Sequence, residues 1–156
     1  MLLRSFIMGI FLLPSTGCIK KPSTIVSPIY SKNKIVIEAQ KHLGKPYKYG
    51  SIGPNSFDCS GFVYAVYKKI GIIIPRTSLN QSRIRGSKLS RGELKVGDLV
   101  FFDTSLRGHV NHSGIYLGNS KFIHASSGKA YSVTISNMNG WYKDKFKWGK
   151  HINENK

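Results

Sequence analysis

Apolar residues recur at helical spacing early in the sequence. Ile35, Ala39 and Leu43 lie four residues apart, and Gly44 and Pro46 after them are typical of a helix end. The spacing therefore predicts a first helix that begins near residue 33 and stops before the proline.

A second helix is predicted between about Ser60 and Gly71, after a polar loop over residues 47–56. Its apolar face comprises Phe62, Val63, Val66, Tyr67 and Ile70. Asp58 can cap this helix, which puts Cys59 in the first turn.

The pattern changes to short β-rich runs in the second half of the chain. Four strands are predicted, at residues 97–102, 112–118, 121–126 and 131–136. Residues 140–149 carry four aromatic side chains, and we interpret them as a closing strand or turn in preference to a substrate-binding lip. Helices followed by an antiparallel sheet predict an α+β fold.

The N-terminal sequence predicts export. Arg4 precedes a short apolar run that ends at Leu13, too short to span a bilayer and typical of a signal-peptide core. The sequence STGC at residues 15–18 resembles the lipobox of bacterial lipoproteins, although leucine is usual at the first of these positions. An ordinary cleaved signal peptide is the alternative, and a retained membrane anchor is a weaker one.

This interpretation divides the chain into a signal peptide (1–17), a tether (18–32), a folded domain (33–152) and a tail (153–156). Lipid on Cys18 would hold the domain at the periplasmic face of a membrane. Ile19 in place of aspartate favours the outer membrane, if the host sorts lipoproteins as many Gram-negative bacteria do.

The composition is strongly basic, with 24 Lys and Arg against 7 Asp and Glu and a formal net charge of +17. Such a charge predicts an anionic partner: nucleic acid, a membrane surface or a carboxylate- and phosphate-rich cell envelope. The basic residues are scattered and carry no nucleic-acid-binding signature, which argues against nucleic acid. The sequence contains no acidic cluster and no phosphate-binding loop, so we expect no metal and no cofactor.

Cys59 is the one thiol left in the mature chain if Cys18 carries lipid, so an internal disulfide is excluded. The thiol is then either buried and inert or a catalytic nucleophile. Lowering a thiol pKa from about 8.5 to about 4 takes about 6 kcal/mol, and a helix N-terminus supplies about 0.3–2 kcal/mol. A catalytic thiol here therefore needs a cationic partner from another element.

Five histidines are available for that role: His42, His109, His112, His124 and His151. His112 and His124 lie on adjacent predicted strands joined by a short turn, so antiparallel pairing can make them neighbours. One could pair with Cys59 while the other orients it, which is the arrangement of nucleophile, base and orienting group. The alternative is that both are structural residues of the sheet. We expect His42 at the surface.

Four stretches, in order, resemble NlpC-type cell-wall cysteine peptidases: YKYG…FDCSGFVYAVYKKIGIIIPRTSLNQ, LKVGDLVFF, VNHSGIYLGNSKFIHAS and VTISNM. The resemblance covers roughly residues 33–150. It implies a papain-like α+β fold in which a helix bearing the nucleophile packs on a central antiparallel sheet. It also implies cleavage of peptidoglycan stem peptides, most often between D-glutamate and the diamino acid.

The resemblance assigns a role to each member of the catalytic set. It implies that Cys59 is the nucleophile, His112 the base and His124 the orienting residue. We interpret Arg76 and Gln81 as helix-start and packing residues, and Arg76 could also serve as an ion-pair partner.

Three further residues match positions that line the site in the family. Tyr47 falls at a tyrosine beside the thiol that can assist the oxyanion, and Asp58 and Ser60 fall where some members hold the free amine of an L-alanine. A loop aromatic and a helix cap are the structural alternatives. Ser51 and Asn111 depart from the family pattern and put loop shape in doubt.

Together these observations predict an exported, lipid-anchored peptidoglycan endopeptidase that acts as a monomer through a thioester acyl-enzyme. Two alternatives stay open. One is an amidase or acyltransferase of the same fold that acts on the cell wall, and the other is a non-catalytic wall-binding lipoprotein.

Overall fold

The structure, a computed structural model, describes residues 33–152. The predicted signal peptide, the tether and the tail lie outside these residues, as does Cys18. Within residues 33–152, no helix is both long and apolar enough to cross a membrane.

The described part of the chain forms three α-helices followed by five strands. The helices are α1 (Lys34–Gln40), α2 (Cys59–Lys69) and α3 (Ser78–Ser82), and a 3₁₀ turn at Arg91–Glu93 precedes the sheet. The strands are β1 (Leu99–Phe102), β2 (His112–Gly118), β3 (Lys121–Ala125), β4 (Val133–Asn137) and β5 (Phe146–Lys150). They form one antiparallel sheet in the order β4-β3-β2-β1-β5, which confirms the predicted α+β fold.

Helix α1 is shorter than its apolar spacing predicts. The Asn33 side chain accepts hydrogen bonds from the N–H groups of Ile35 and Val36 and so starts the helix. The helix stops at Gln40, and Gly44, with φ of +79°, donates its N–H to the carbonyl of Val133 on β4. This hydrogen bond joins the chain to the sheet in the region where the apolar spacing predicts that the helix continues.

The sheet has an apolar core on each face. The larger core packs α1 and α2 against inward residues such as Leu99, Ile115 and Ile123. The smaller core consists of buried residues on the opposite face covered by partly buried residues of the β4–β5 connection and β5: Val100, Phe102, Phe122, Met138, Tyr142 and Phe146. Residues 140–149 therefore do close the domain, because β5 pairs with β1 at the sheet edge.

Candidate active site

Cys59 is the first residue of α2, at the point where the helix meets the sheet. Asp58 caps the helix, since its carboxylate accepts the N–H of Gly61 at 2.6 Å. The Cys59 Sγ atom lies 3.6 Å from Ser78 Oγ and 3.9 Å from the carbonyl oxygen of Asn111. The predicted position of the thiol in the first helical turn is confirmed.

Asp58 is held by more groups than a cap requires. Both of its carboxylate oxygens accept from the Arg76 guanidinium, and Gly50 N–H donates to it at 2.9 Å. Ser60 Oγ lies 3.3 Å from the same carboxylate and accepts from Arg76 at 2.9 Å. Arg76 is therefore the ion-pair partner that the sequence suggested, and it fixes the loop before the thiol to the segment before α3.

The predicted histidine pair is present on β2 and β3. His112 Nε2 and His124 Nδ1 are 2.8 Å apart, and His124 Nε2 is 2.9 Å from Ser136 Oγ on β4. A Cβ at Gly114 would lie 3.2 Å from the Cβ of His124 and 2.9 Å from the Ile123 carbonyl, so glycine on β2 leaves room for His124.

The hydrogen bond between the imidazoles has a consequence for the chemistry. If His112 donates from Nε2 to His124, its Nδ1 keeps a lone pair that can take a proton. The thiol lies near this residue in space, because Cys59 contacts the carbonyl of Asn111, the residue before His112. The arrangement can thus serve as nucleophile, base and orienting group in sequence.

Aromatic rings enclose both imidazoles. The Tyr142 ring stacks on His112 with centroids 6.0 Å apart and planes 22° from parallel, and Phe122 lies 4.6 Å from His124. Burial lowers the pKa of His112 to about 4, and it lowers the pKa of His124 further because a charge on His112 adds to the effect. Both rings are therefore neutral at pH 7.

Burial acts in the opposite direction on the thiol. It raises the pKa of Cys59, and so does the charge on Asp58. The backbone N–H groups of Ser60 and Ser113 lower it, as a hydrogen bond donated by the Ser78 hydroxyl would. Desolvation thus opposes the predicted thiolate–imidazolium pair, which has to form through the mutual attraction of its two charges. The neutral thiol and imidazole are favoured at rest.

Tyr47 is half-buried beside the thiol. Burial raises its pKa, and negative charge on Cys59 and Asp58 adds to that rise. Its ring packs against Tyr131, with centroids 5.5 Å apart. Tyr47, Asp58 and Ser60 therefore surround Cys59, as expected, although a contact with substrate stays a prediction.

The other three histidines lie elsewhere. His109 is exposed in the loop before β2, and His151 contacts Asp98 at 2.7 Å. His42, expected at the surface, is partly buried because its ring packs against Phe57 with centroids 4.8 Å apart. Of the five candidates, His112 and His124 form a hydrogen-bonded pair, and His112 follows Asn111, which contacts the thiol.

A cleft of about 840 Å³ opens on the imidazole side of the site. It is lined by Thr104, His112, the β3–β4 loop from Ser126 to Ala130, Thr134, Ser136, Trp141 and Tyr142. Trp141 and Tyr142 belong to the aromatic segment that was interpreted as a strand or turn, so part of this segment also borders the cleft.

Sequence reasoning missed Ser136, and it assigned Tyr142 to a closing strand or turn in preference to a substrate-binding lip. A signal for Ser136 existed, since β4 pairs with β3 and places Thr134 opposite His124, one diagonal step from Ser136. The signal for Tyr142 was the aromatic run itself, but nothing in it pointed to contact with His112. Between residues 33 and 152, no group of three or more His, Cys, Asp and Glu side chains could hold a metal ion.

Comparison with known proteins places the chain in a family. The sequence profile of the NlpC/P60 family matches residues 44–151. The chain belongs to the NlpC/P60 family. This confirms the resemblance to cell-wall peptidases seen in the sequence motifs.

Two relatives have informative names. The chain is 42% identical over 107 residues to the murein DD-endopeptidase MepH of Escherichia coli, an alignment that covers 66% of this chain and 40% of MepH. It is 38% identical over 110 residues to a gamma-DL-glutamyl hydrolase of Bacillus subtilis, covering 69% of this chain and 26% of the hydrolase. The chain thus spans less than half the length of either relative.

A solved structure supports the fold. The crystal structure of an NlpC/P60 family protein from Bacillus cereus superposes with a TM-score of 0.70 at 33% identity. The match covers 76% of this chain and 39% of that one. The predicted NlpC-type fold is confirmed.

Proposed function

We propose that this protein is a cysteine endopeptidase that hydrolyses the stem peptides of peptidoglycan. The observation that carries the proposal is a thiol at a capped helix start that contacts the carbonyl of Asn111, next to His112, whose imidazole is hydrogen-bonded to that of His124. Membership of the NlpC/P60 family and the names of its relatives support a hydrolase of cell-wall peptides.

The reaction follows from the protonation states that burial favours. The thiol of Cys59 gives its proton to Nδ1 of His112 as Sγ attacks the amide carbon. The backbone N–H of Cys59 stabilises the oxyanion. His112 then protonates the leaving amine, which leaves a thioester, and water hydrolyses this with His112 again as base. His124 holds the ring of His112 through the bond between the imidazoles.

The bond proposed for cleavage joins D-glutamate to the diamino acid. The gamma-DL-glutamyl hydrolase is named for a glutamyl bond, whereas MepH is named as a DD-endopeptidase, so the relatives' names do not agree on one bond. Digestion of defined muropeptides, read by mass, distinguishes these bonds. It also tests the rival amidase or acyltransferase, whose products would be a separated sugar or an acyl-transfer adduct.

The decisive control is Cys59→Ala. We expect this variant to fold and to release no product above background, because the nucleophile is gone. Product release at the wild-type rate would refute the mechanism, and a wild-type protein that binds the wall without cleaving any muropeptide would favour the non-catalytic lipoprotein.

The proposed contact of Asp58 and Ser60 with a substrate amine rests on the family resemblance. The Asp58 carboxylate already pairs with Arg76, so an ammonium would have to share it, and a stem peptide without a free amine would not leave it unpaired. Competition between free L-Ala-γ-D-Glu-diaminopimelate and the same peptide on its disaccharide tests this. A faster reaction of the free peptide that disappears in Asp58→Asn supports the contact, and equal rates refute it.

We also propose that the protein acts in the cell envelope, attached by lipid on Cys18 to the periplasmic face of the outer membrane. Its net charge of +17 suits a carboxylate-rich polymer and anionic lipid. Labelled fatty acid should enter the wild-type protein and not Cys18→Ala. A soluble, unlabelled mature protein would exclude the anchor.

A further inference from the structure

A chain of buried hydroxyl and amide groups leads away from the thiol. Cys59 Sγ lies 3.6 Å from Ser78 Oγ, which lies 3.0 Å from Ser113 Oγ. Ser113 Oγ in turn lies 2.9 Å from Gln81 Oε1. Ser78, Ser113 and Gln81 are all buried, so water does not compete for these bonds.

The far end of the chain fixes its direction. Gln81 Nε2 lies 3.0 Å from the carbonyl oxygens of both Ser60 and Pro75. Carbonyl oxygens can only accept, so both amide hydrogens of Gln81 are committed to them and its Oε1 must face Ser113. These two carbonyl partners therefore fix which end of the Gln81 amide is the nitrogen and which is the oxygen.

The direction then passes from group to group. Oε1 of Gln81 accepts, so Ser113 spends its one hydroxyl hydrogen on it. Ser113 can then only accept from Ser78, and Ser78 spends its own hydrogen there. The Ser78 hydroxyl has no hydrogen left for Cys59, so it can only accept a hydrogen bond from the S–H group.

We propose that Ser78, Ser113 and Gln81 form a one-way hydrogen-bond chain that makes Ser78 an acceptor for the S–H group of Cys59 and so holds the nucleophile as a thiol before substrate arrives. They act through Cys59 and are positioning residues. The proposal deepens the proposed peptidase function and rests on Cys59 being its nucleophile.

The surroundings of the thiol contain groups that act in both directions. The carbonyl of Asn111 is a second acceptor for S–H, whereas the backbone N–H groups of Ser60 and Ser113 favour the thiolate. The charged or titratable side chains near Cys59 are Asp58, Arg76, Tyr47 and Tyr142, and His112 follows Asn111, whose carbonyl contacts the thiol. Because none of these changes in the variants below, a difference between variants reports on the chain.

The test is the pH dependence of iodoacetamide alkylation at Cys59, followed by the mass of the peptide that contains it. Ser113→Ala should lower the apparent pKa of Cys59 by about one unit, because the Ser78 hydroxyl is released and can donate to the thiolate. Ser78→Ala removes only the acceptor for S–H and should lower it by about half a unit.

Ser82→Ala is the matched control. Ser82 is also a buried serine of α3, but its hydroxyl donates to the carbonyl of Leu79 and takes no part in the chain. We expect the alkylation profile of this variant to coincide with that of the wild type.

The sign of the Ser78→Ala shift decides the proposal. If Ser78 donated to the thiolate, its loss would raise the pKa of Cys59, and a rise overturns the proposal. Unchanged profiles in both Ser78→Ala and Ser113→Ala overturn it as well. Should Ser113→Ala fail to fold, Ser78→Ala decides alone, and Ser113→Thr, which keeps the hydroxyl, should match the wild type.

Alkylation needs no turnover of substrate, so the two proposals can fail separately. A protein that shows the predicted shifts but cleaves no muropeptide would refute the peptidase function and leave the hydrogen-bond chain. A protein that cleaves muropeptides but whose variants lack these shifts would refute the hydrogen-bond chain and leave the peptidase function.

Discussion

Cys59 and His112 lie in different kinds of surroundings. The thiol is surrounded by hydrogen-bonding groups, with the Asp58–Arg76 pair on one side and the chain through Ser78 on the other. His112 bonds to a single polar partner, His124, and is otherwise packed against the rings of Phe102 and Tyr142.

The difference separates two ways of controlling a proton. Hydrogen bonds around Cys59 select one protonation state by donating or accepting, so a single changed hydroxyl can reverse their effect. The aromatic rings packed around His112 do not select a protonation state by donating or accepting hydrogen bonds. They withhold water and so disfavour the charged form, whichever ring provides the cover.

The largest effect on catalysis should come from removing the two imidazoles themselves. His112→Ala should lower kcat/KM on a muropeptide by about 1,000-fold or more, and His124→Ala by about 100-fold, since His124 acts through His112. The double variant should cost less than the product of the two losses, because the pair acts as one unit.

His109→Ala is the control for that experiment. His109 is exposed, and we expect its loss to leave kcat/KM unchanged. A severe loss in His109→Ala together with a mild one in His112→Ala would mean that the base has been assigned to the wrong histidine.

A smaller effect should follow from removing the aromatic cover. Burial holds the pKa of His112 at about 4, below the ordinary value of 6.5. Tyr142→Ala hydrates the ring and should raise this pKa by about one unit or more, whereas Tyr142→Phe keeps the ring and should not change it. NMR titration of the imidazole in a Cys59→Ala background measures the shift without interference from the thiol.

The sign carries over to activity. A base works only when neutral, so a raised pKa makes kcat/KM begin to fall at a higher pH as the solution is acidified. The acid limb of Tyr142→Ala should therefore lie above that of Tyr142→Phe. Coincident titrations of the two variants would show that the tyrosine ring does not control His112.

The same difference explains what could be predicted from the sequence. The thiol side depends on a contiguous motif, so the cap at Asp58 and the helix start at Cys59 were readable from local pattern. The histidine pair required two strands and one short turn, and the turn at Gly118–Ser120 made the antiparallel pairing foreseeable.

Other features depended on contacts that no local pattern carries. Helix α3 has five residues, too few for an apolar period to emerge, and its Gln81 looked like a packing residue. The cover over His112 comes from Tyr142, 30 residues further along the chain and between two strands. The protonation states followed from burial, which the sequence did not give for either His112 or Cys59.

The smallest effect should come from the polar surroundings of Cys59, when the geometry of the Asp58–Arg76 ion pair is changed at constant charge. Arg76 donates from both terminal nitrogens to the Asp58 carboxylate, which is buried, while its own side chain is 35% exposed. Lysine keeps the charge but cannot present two parallel donors, so Arg76→Lys tests the fork alone. Because solvent screens the exposed part of the pair, we expect a loss of about 1 kcal/mol in the free energy of unfolding.

Arg83→Lys, at an exposed arginine after α3, is the matched control and should leave stability unchanged. Urea unfolding of both variants measures the difference. Equal midpoints would mean that the backbone donors of Gly50 and Gly61 hold the loop before Cys59 without the guanidinium.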